Sequence, residues 1–154
     1  MPLQDYGEAM GGGLEVQGLL ERDLSRYGYE ILDQARLKRV LLRERVRGGR
    51  AITRELVRMI GNELGTRLIL SCSVTQYGGG DDPCCGVAAH LTDTRTGRIV
   101  WSGAASSSGS EHETLLGLGR VKEPSKLAEF VVSALLKDLP PPEEMAAHLG
   151  RIGD

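Results

Sequence analysis

The fold is decided by the stretch Leu91-Thr-Asp-Thr-Arg-Thr-Gly-Arg-Ile-Val-Trp-Ser102. It has the pattern of the end of one strand, a tight turn and the start of a second strand. The side chain of Asp93 can accept hydrogen bonds from the turn backbone. Gly97 can adopt the positive φ that closes a four- to five-residue hairpin loop. The stretch therefore predicts a β-hairpin, and it contains no grouping of side chains that suits catalysis.

The apolar pattern on either side of this hairpin predicts further strands and helices. Period-two runs predict three consecutive strands in a meander: Leu68 to Tyr77, Val87 to Thr92 and Ile99 to about Ser106. Apolar residues at helical spacing predict four helices: Leu14 to Tyr27, Gln34 to Arg47, Ala51 to Leu64 and Ser125 to Leu139. A short strand, Tyr29 to Leu32, is expected between the first two helices, and Gly65 is the expected end of the third helix.

The order of these elements is α-β-α-α-β-β-β-α, which predicts an α/β (α+β) two-layer sandwich. Helices pack on a mixed sheet that ends in a three-strand antiparallel meander. Residues 1–139 are expected to form a single domain. Pro140-Pro141-Pro142 is expected to end the last helix, and residues 140–154 are predicted to be a Pro-rich, flexible C-terminal tail.

Composition sets the class of protein. The 154 residues are 40% hydrophobic and 26% charged, which is typical of a globular domain with its own core. A formal net charge of -2 gives no overall attraction to nucleic acid or to an anionic membrane. No run approaches the eighteen or so apolar residues of a membrane-spanning helix.

Cysteine and histidine are the residue types most able to carry chemistry, and neither forms a recognisable site. Cys84 and Cys85 are adjacent, whereas zinc requires two pairs of ligands at wider spacing. A turn or a disulfide between these loop cysteines is the expected role, and Cys72 is expected to be a small buried residue. The three histidines are scattered and have no partner at the spacing of a triad: His90, His112 and His148. We therefore predict no catalytic residue, no metal site and no cofactor. An enzyme with a nucleophilic thiol at position 84 or 85 is the third interpretation.

A basic segment offers a second kind of function. Between Arg36 and Arg58 there are nine basic residues against two acidic ones, and this excess could attract nucleic acid or an anionic lipid surface. No aromatic residue interleaves the segment, so base stacking is not supported. Solvated helix faces are the simpler interpretation. Trp101 could anchor a partner, although its position beside a turn favours packing. The possible partner-binding residues are Trp101, Arg43, Arg47, Arg50 and Arg54.

Two stretches carry a resemblance to a known group. They are Glu63-Leu-Gly-Thr-Arg-Leu-Ile-Leu-Ser-Cys-Ser-Val74 and Leu91 to Gly103, which contains the hairpin and Trp101. In these stretches and in its element order, the chain resembles the TolB-like N-terminal domains and the curli-secretion (CsgG-type) envelope lipoproteins. The resemblance implies a bacterial envelope protein, often an exported lipoprotein, that binds or assembles other envelope components and is not an enzyme.

The chain departs from this group at its start, where relatives have an apolar first strand. Only Met1-Pro2-Leu3 matches the end of that strand, so the first family strand is largely missing. We therefore expect a truncated N-terminus, from which an export signal has been removed. A sheet that lacks a strand exposes an edge, and an exposed edge favours pairing with a second copy.

The sequence thus predicts a non-catalytic, envelope-associated domain that acts by protein–protein binding or by self-assembly in envelope assembly or secretion. Its expected partners are proteins or further copies of itself, and nucleic acid is not expected. Its expected location is the periplasm or the periplasmic face of the outer membrane if an export signal was removed, and the cytoplasm if the N-terminus is genuine. The alternative is a cytoplasmic module that binds an anionic polymer or a lipid surface through the Arg36–Arg58 segment.

Overall fold

The computed structural model describes residues 3–5, 12–43, 53–112 and 121–152. The strands are β1 (Leu3–Asp5), β2 (Leu68–Gly78), β3 (Cys84–Asp93) and β4 (Arg98–Ser108). The helices are α1 (Gly12–Arg26), α2 (Gln34–Arg43), α3 (Arg54–Leu64), α4 (Pro124–Leu136) and α5 (Pro142–Ile152). A single 3₁₀ turn, Ser110–His112, follows β4.

The four strands form one mixed sheet in the order β1-β2-β3-β4. β2, β3 and β4 are antiparallel neighbours, which confirms the predicted meander and the α+β class. β1 is parallel to β2 and pairs with it over three residues, from Leu3 opposite Cys72 to Asp5 opposite Val74. Along this side of β2, the described residues therefore provide a strand partner for Cys72 to Val74 alone.

The hairpin between β3 and β4 forms around Asp93, as the sequence predicts. Gly97 has φ +68°, and its N–H donates to the carbonyl of Asp93 over 2.8 Å. The Asp93 carboxylate accepts from the hydroxyl of Thr96 over 2.8 Å and from the backbone N–H of Arg95 over 3.2 Å. One acidic side chain thus satisfies the polar groups of the turn, which is why the chain reverses here.

Alternation along the strands produces a core on one face of the sheet, beneath α1, α4 and α5. Leu70, Cys72 and Val74 of β2 lie in this core beside helix residues such as Leu20 and Leu127. The opposite face carries a smaller cluster, formed where α2 and α3 pack against the beginning of β2. Its buried members are Leu37, Val40, Val57, Ile60 and Ile69. Among the described residues, the second layer of helices therefore reaches only one end of that face.

Both ends of α3 are stabilised by the residues expected at helix boundaries. The Thr53 hydroxyl accepts from the backbone N–H of Leu56, and Gly65 ends the helix in the left-handed conformation at φ +65°. Within the helix, Gly61 lies directly against Thr94 of the hairpin. A β-carbon built at Gly61 would lie 2.2 Å from that of Thr94. The helix can approach the hairpin this closely only because residue 61 has no side chain.

Two sequence predictions are corrected. The segment Tyr29–Leu32 is not a strand, because its polar and apolar groups find partners outside the sheet. The Tyr29 hydroxyl donates to the carbonyl of Pro140 over 2.6 Å, and Tyr29 and Ile31 pack against the main core. The predicted tail contains α5, whose Met145 and Leu149 are buried. Proline lacks the N–H that the first turn of a helix leaves unpaired, so Pro142 can begin α5, while α4 has already ended at Leu136.

Some predicted elements extend beyond the described residues. The second helix was predicted to reach Arg47, and its described part ends at Arg43. Among the described residues, none of the helices is both long enough and apolar enough to cross a bilayer.

Candidate functional site

The outer edge of the sheet at β4 has the character of an interaction surface. In the described part of the chain, no strand pairs with the side of β4 that faces away from β3. Residues 99–108 include no charged residue and no proline. Natural edge strands usually carry such residues, because they hinder pairing with another chain. The ten residues Ile99 to Ser108 therefore form an edge without charge or proline of its own, which we call the β4 edge; at its end, the Glu111 carboxylate accepts from the Ser108 N–H.

The hydrogen bonds at the two ends of the meander show which amides of the β4 edge point outward. The N–H of Ser108 donates to the Glu111 carboxylate over 3.2 Å instead of to β3. At the other end, the Thr94 N–H, which continues β3, donates to the carbonyl of Arg67 beside β2. In an antiparallel ladder, successive amides of a strand point alternately toward the neighbouring strand and away from it. The contacts of Ser108 and, across β3, of Thr94 therefore both place the amides of Ala104 and Ser106 on the side of β4 that faces away from β3.

On the face of the sheet opposite the main core, the strands carry small side chains next to the part that α3 covers. In the register, Ser71, His90 and Ser102 lie in one row across three strands, and Ala104 lies in the next row. Ser102 and Ala104 are exposed, whereas Ser71 and His90 are half-buried. Burial holds the pKa of His90 below its usual range, so the ring is neutral at pH 7.

Trp101, a possible partner-binding residue, packs against its own domain. Its indole N–H donates to the carbonyl of Asp138 over 3.3 Å. The ring covers Gly103, where a built β-carbon would lie 2.9 Å from the ring and 3.2 Å from Leu135 of α4. Half-buried in this way, Trp101 joins β4 to the end of α4.

The arginines of the basic segment are divided between two helices. Arg43, at the end of α2, forms an ion pair with Glu63 of α3. Arg47 and Arg50 lie outside the described residues. Arg54 begins α3, and its aliphatic stem packs on Gly97, where a built β-carbon would lie 3.1 Å from the Cβ and Cγ of Arg54. The structure thus brings Arg54 to the hairpin rather than to Arg43.

The cysteines occupy strand positions instead of a loop. Cys84 and Cys85 begin β3, and their side chains point to opposite faces of the sheet. The structure joins none of the three cysteines in a disulfide. Burial raises the pKa of Cys72 to about 12 and that of Cys85 to about 11, so both thiols are protonated at neutral pH. Among the described residues, no three His, Cys, Asp or Glu side chains are grouped closely enough to hold a metal ion.

The sequence analysis did not single out Arg98, and it set His90 aside as a scattered histidine. Both lie beside Arg54 in a pocket between α3 and the hairpin. The period-two pattern of β3 could have placed His90 on the face opposite the core. The approach of Arg54 to Arg98, which is 44 positions away in the chain, depends on how α3 packs.

No protein-family model and no curated protein sequence matches this chain. Solved structures do match. Lipoprotein GNA1162 from Neisseria meningitidis is 19% identical, with a TM-score of 0.63 over 96% of this chain and 95% of that one. The PelC dodecamer from Paraburkholderia phytofirmans is 15% identical, with a TM-score of 0.58 over 88% and 81%. The LpoB C-terminal domain from Escherichia coli is 18% identical, with a TM-score of 0.51 over 69% and 77%.

At these identities the likeness concerns the fold alone. The chain shares its α+β architecture with a lipoprotein, with the subunit of a dodecamer and with the C-terminal domain of LpoB.

Proposed function

We propose that this chain is a non-catalytic domain of the bacterial envelope that works by binding proteins, and first of all further copies of itself, through the β4 edge. We place it among TolB-like and CsgG-type lipoprotein domains, on the resemblance of the β2 entry and the hairpin. Its location is the periplasm or the periplasmic face of the outer membrane, which requires an export signal.

The observation that carries this proposal is the absence of charge and proline along the β4 edge. Ten consecutive residues present a strand edge without charge or proline, and the amides of Ala104 and Ser106 point outward from it. An incoming strand would satisfy those amides and continue the sheet, which is how proteins bind by strand addition. A second copy of β4 is the occupant to which we commit. The side chains of β4 from Ser102 to Ser108 are small and do not obstruct the approach of a second copy of this strand.

The solved structures with a similar fold support the same proposal. One of them is a lipoprotein and another is a dodecamer, so this architecture occurs both in lipoproteins and in an assembly of many copies. A thiol nucleophile at Cys85 is disfavoured, because burial raises the pKa of Cys85 to about 11 and leaves little nucleophilic thiolate. The alternative of a cytoplasmic module that binds an anionic polymer through residues 36–58 stays a prediction.

The proposal is tested by altering the edge without altering the core. Ala104→Pro removes an outward N–H, and Ala104→Lys adds a charge beside the edge. Ala146→Lys makes the same substitution at an exposed alanine of α5 and is the matched control. We expect the full chain and the Ala146→Lys variant to sediment as oligomers, and both position-104 variants to sediment as monomers. Oligomers of unchanged size in both position-104 variants would refute the use of this edge.

A further inference from the structure

A pocket of about 450 Å³ lies between α3 and the hairpin, on the face of the sheet opposite the main core. Arg54 enters it from α3, and Arg98 from the first position of β4. Ser71 and His90, neighbours across β2 and β3, form its polar floor. Val57 belongs to the apolar part of the wall. The pocket thus combines two cations and two smaller polar groups on a preformed surface.

The charges of this pocket are unbalanced. No aspartate or glutamate lines it. Among the described residues, neither the Arg54 nor the Arg98 guanidinium makes a hydrogen bond or an ion pair. Glu55, next to Arg54 in the chain, interacts electrostatically with Arg54, but it is fully exposed and lies outside the pocket. Two arginines that line one cavity without a carboxylate in its lining give it a positive potential.

The composition of the pocket selects one class of anion. Arginine binds both carboxylate and phosphate through paired N–H groups. A carboxylate carries one negative charge and would balance only one arginine, as would the phosphodiester of a phospholipid, whereas inorganic phosphate or a phosphate monoester carries up to two and can balance both. The remaining phosphate oxygens can accept from the Ser71 hydroxyl and from the neutral ring of His90, which has one N–H to donate.

We propose that the pocket formed by Arg54, Arg98, His90 and Ser71 binds a phosphate group, of either a free phosphate compound or a phospholipid headgroup. This site lies on the face of the sheet, and of its lining residues Ile99 alone belongs to the β4 edge. It can therefore be present or absent independently of self-assembly.

The test follows the ring resonances of His90 by NMR during titration of the full chain with inorganic phosphate. Potassium chloride and potassium acetate at matched ionic strength are the reference titrations. The variant Arg54→Gln/Arg98→Gln removes both charges, and both positions are exposed, so the fold is retained. Arg36→Gln/Arg39→Gln, at exposed positions of α2, is the control with the same change in net charge. Backbone amide spectra verify that each variant is folded.

Saturable shifts of His90 with phosphate that exceed those with chloride and acetate support the proposal. These shifts should be retained in the Arg36→Gln/Arg39→Gln control. In the Arg54→Gln/Arg98→Gln variant, the affinity for phosphate should be at least about tenfold weaker. Equal shifts with all three anions, or an unchanged phosphate affinity in the pocket variant, overturn it.

Vesicles distinguish the two sources of the phosphate. Vesicles of phosphatidylglycerol, compared with vesicles of phosphatidylcholine, are tested by co-sedimentation with the same variants. Binding to phosphatidylglycerol that is lost in the pocket variant and retained in the α2 control assigns the site to a lipid headgroup. Phosphate shifts without vesicle binding assign it to free phosphate compounds. Vesicle binding that is equal in both variants, without phosphate shifts, overturns the site altogether.

Discussion

Arg67 donates from Nε to the fully buried carboxylate of Asp93 over 3.3 Å. The same guanidinium donates from Nη2 to the carbonyl of Leu149 in α5 over 2.8 Å. Arg67 therefore connects three parts of the fold: the entry to β2, the hairpin and the C-terminal helix. Asp93 both organises the hairpin turn and provides the anion that holds Arg67 in place.

We predict that Asp93→Asn destabilises the protein at neutral pH by about 2–4 kcal/mol. The substitution removes the charge that Arg67 and the turn donors require, while the site stays buried. Urea denaturation at pH 7 measures the loss. Asp33→Asn is the control, because an exposed asparagine can still accept from the N–H of Ala35 at the start of α2. A loss of less than about 0.5 kcal/mol in Asp93→Asn would show that Asp93 is not a structural anchor.

The same residue predicts a pH dependence. Burial alone would raise the pKa of Asp93, but hydrogen bonds from Thr96, Arg95 and Arg67 outweigh it and hold the pKa below its usual range. The contribution of Asp93 to stability is therefore fully present above the unfolded-state pKa of about 3.9 and is lost as the pH falls through the lower folded pKa. The stability difference between wild type and Asp93→Asn should shrink in acid. A difference that grows below about pH 4 would contradict this sign.

Two helix glycines should respond in opposite directions to the same substitution. Gly61→Ala forces a β-carbon into Thr94, and we expect a net loss of about 1–3 kcal/mol despite the better helix propensity of alanine. Gly18→Ala, in α1, meets no atom within 4 Å and should gain up to about 1 kcal/mol. Thermal unfolding of both variants measures the two changes in stability. Stabilisation by Gly61→Ala would mean that α3 does not approach the hairpin this closely.

Trp101 should act on stability rather than on association. Trp101→Phe removes the hydrogen bond to Asp138 and part of the ring over Gly103, and should cost about 1–2 kcal/mol. Chemical denaturation monitored by circular dichroism measures this cost. Tryptophan fluorescence is not suitable, because the substitution removes the only tryptophan. Sedimentation measures the oligomeric state of the same variant. Unchanged stability combined with lost association would instead make Trp101 a partner anchor.

The three thiols should differ sharply in reactivity. Cys72 and Cys85 are buried, with pKa values raised to about 12 and about 11, whereas Cys84 is half-buried at the start of β3. In the native protein at pH 7, a thiol reagent should modify Cys84 first and the other two on the timescale of unfolding. Cys84→Ser should abolish the early phase. Fast modification that persists in Cys84→Ser would show that a core thiol is accessible.

The local pattern predicted the parts of this fold that depend on neighbouring residues. The turn at Asp93 and Gly97, the end of α3 at Gly65 and the three long strands are all encoded within a few positions. The segment Tyr29–Leu32 was wrongly predicted as a strand. The pattern of four residues cannot show whether a sheet edge is available for them to pair with. The helix that begins at Pro142 was missed because a proline run, which was expected to end one helix, can begin the next.

The candidate sites were harder to predict, since they depend on how α3 lies on the sheet. Charge counting found Arg54 but grouped it with Arg43, which pairs with Glu63. The pocket instead joins Arg54 to Arg98 and His90, from two other elements. The sequence predicted an exposed edge at the short first strand, whereas the β4 edge lies on the opposite side of the sheet. The absence of charge along Ile99 to Ser108 became informative once β4 was known to be the last described strand of the sheet.

The most direct test of the account is amide hydrogen exchange along β4, measured at low and high concentrations of the full chain. We predict that the amides of Ala104 and Ser106 exchange quickly in the dilute protein and slow down as the oligomer forms. The amides of Gly103 and Ala105, which face β3, should be protected at both concentrations. If the outward amides exchange equally fast at both concentrations while the mass rises, the chain assembles through another surface and the central claim is wrong.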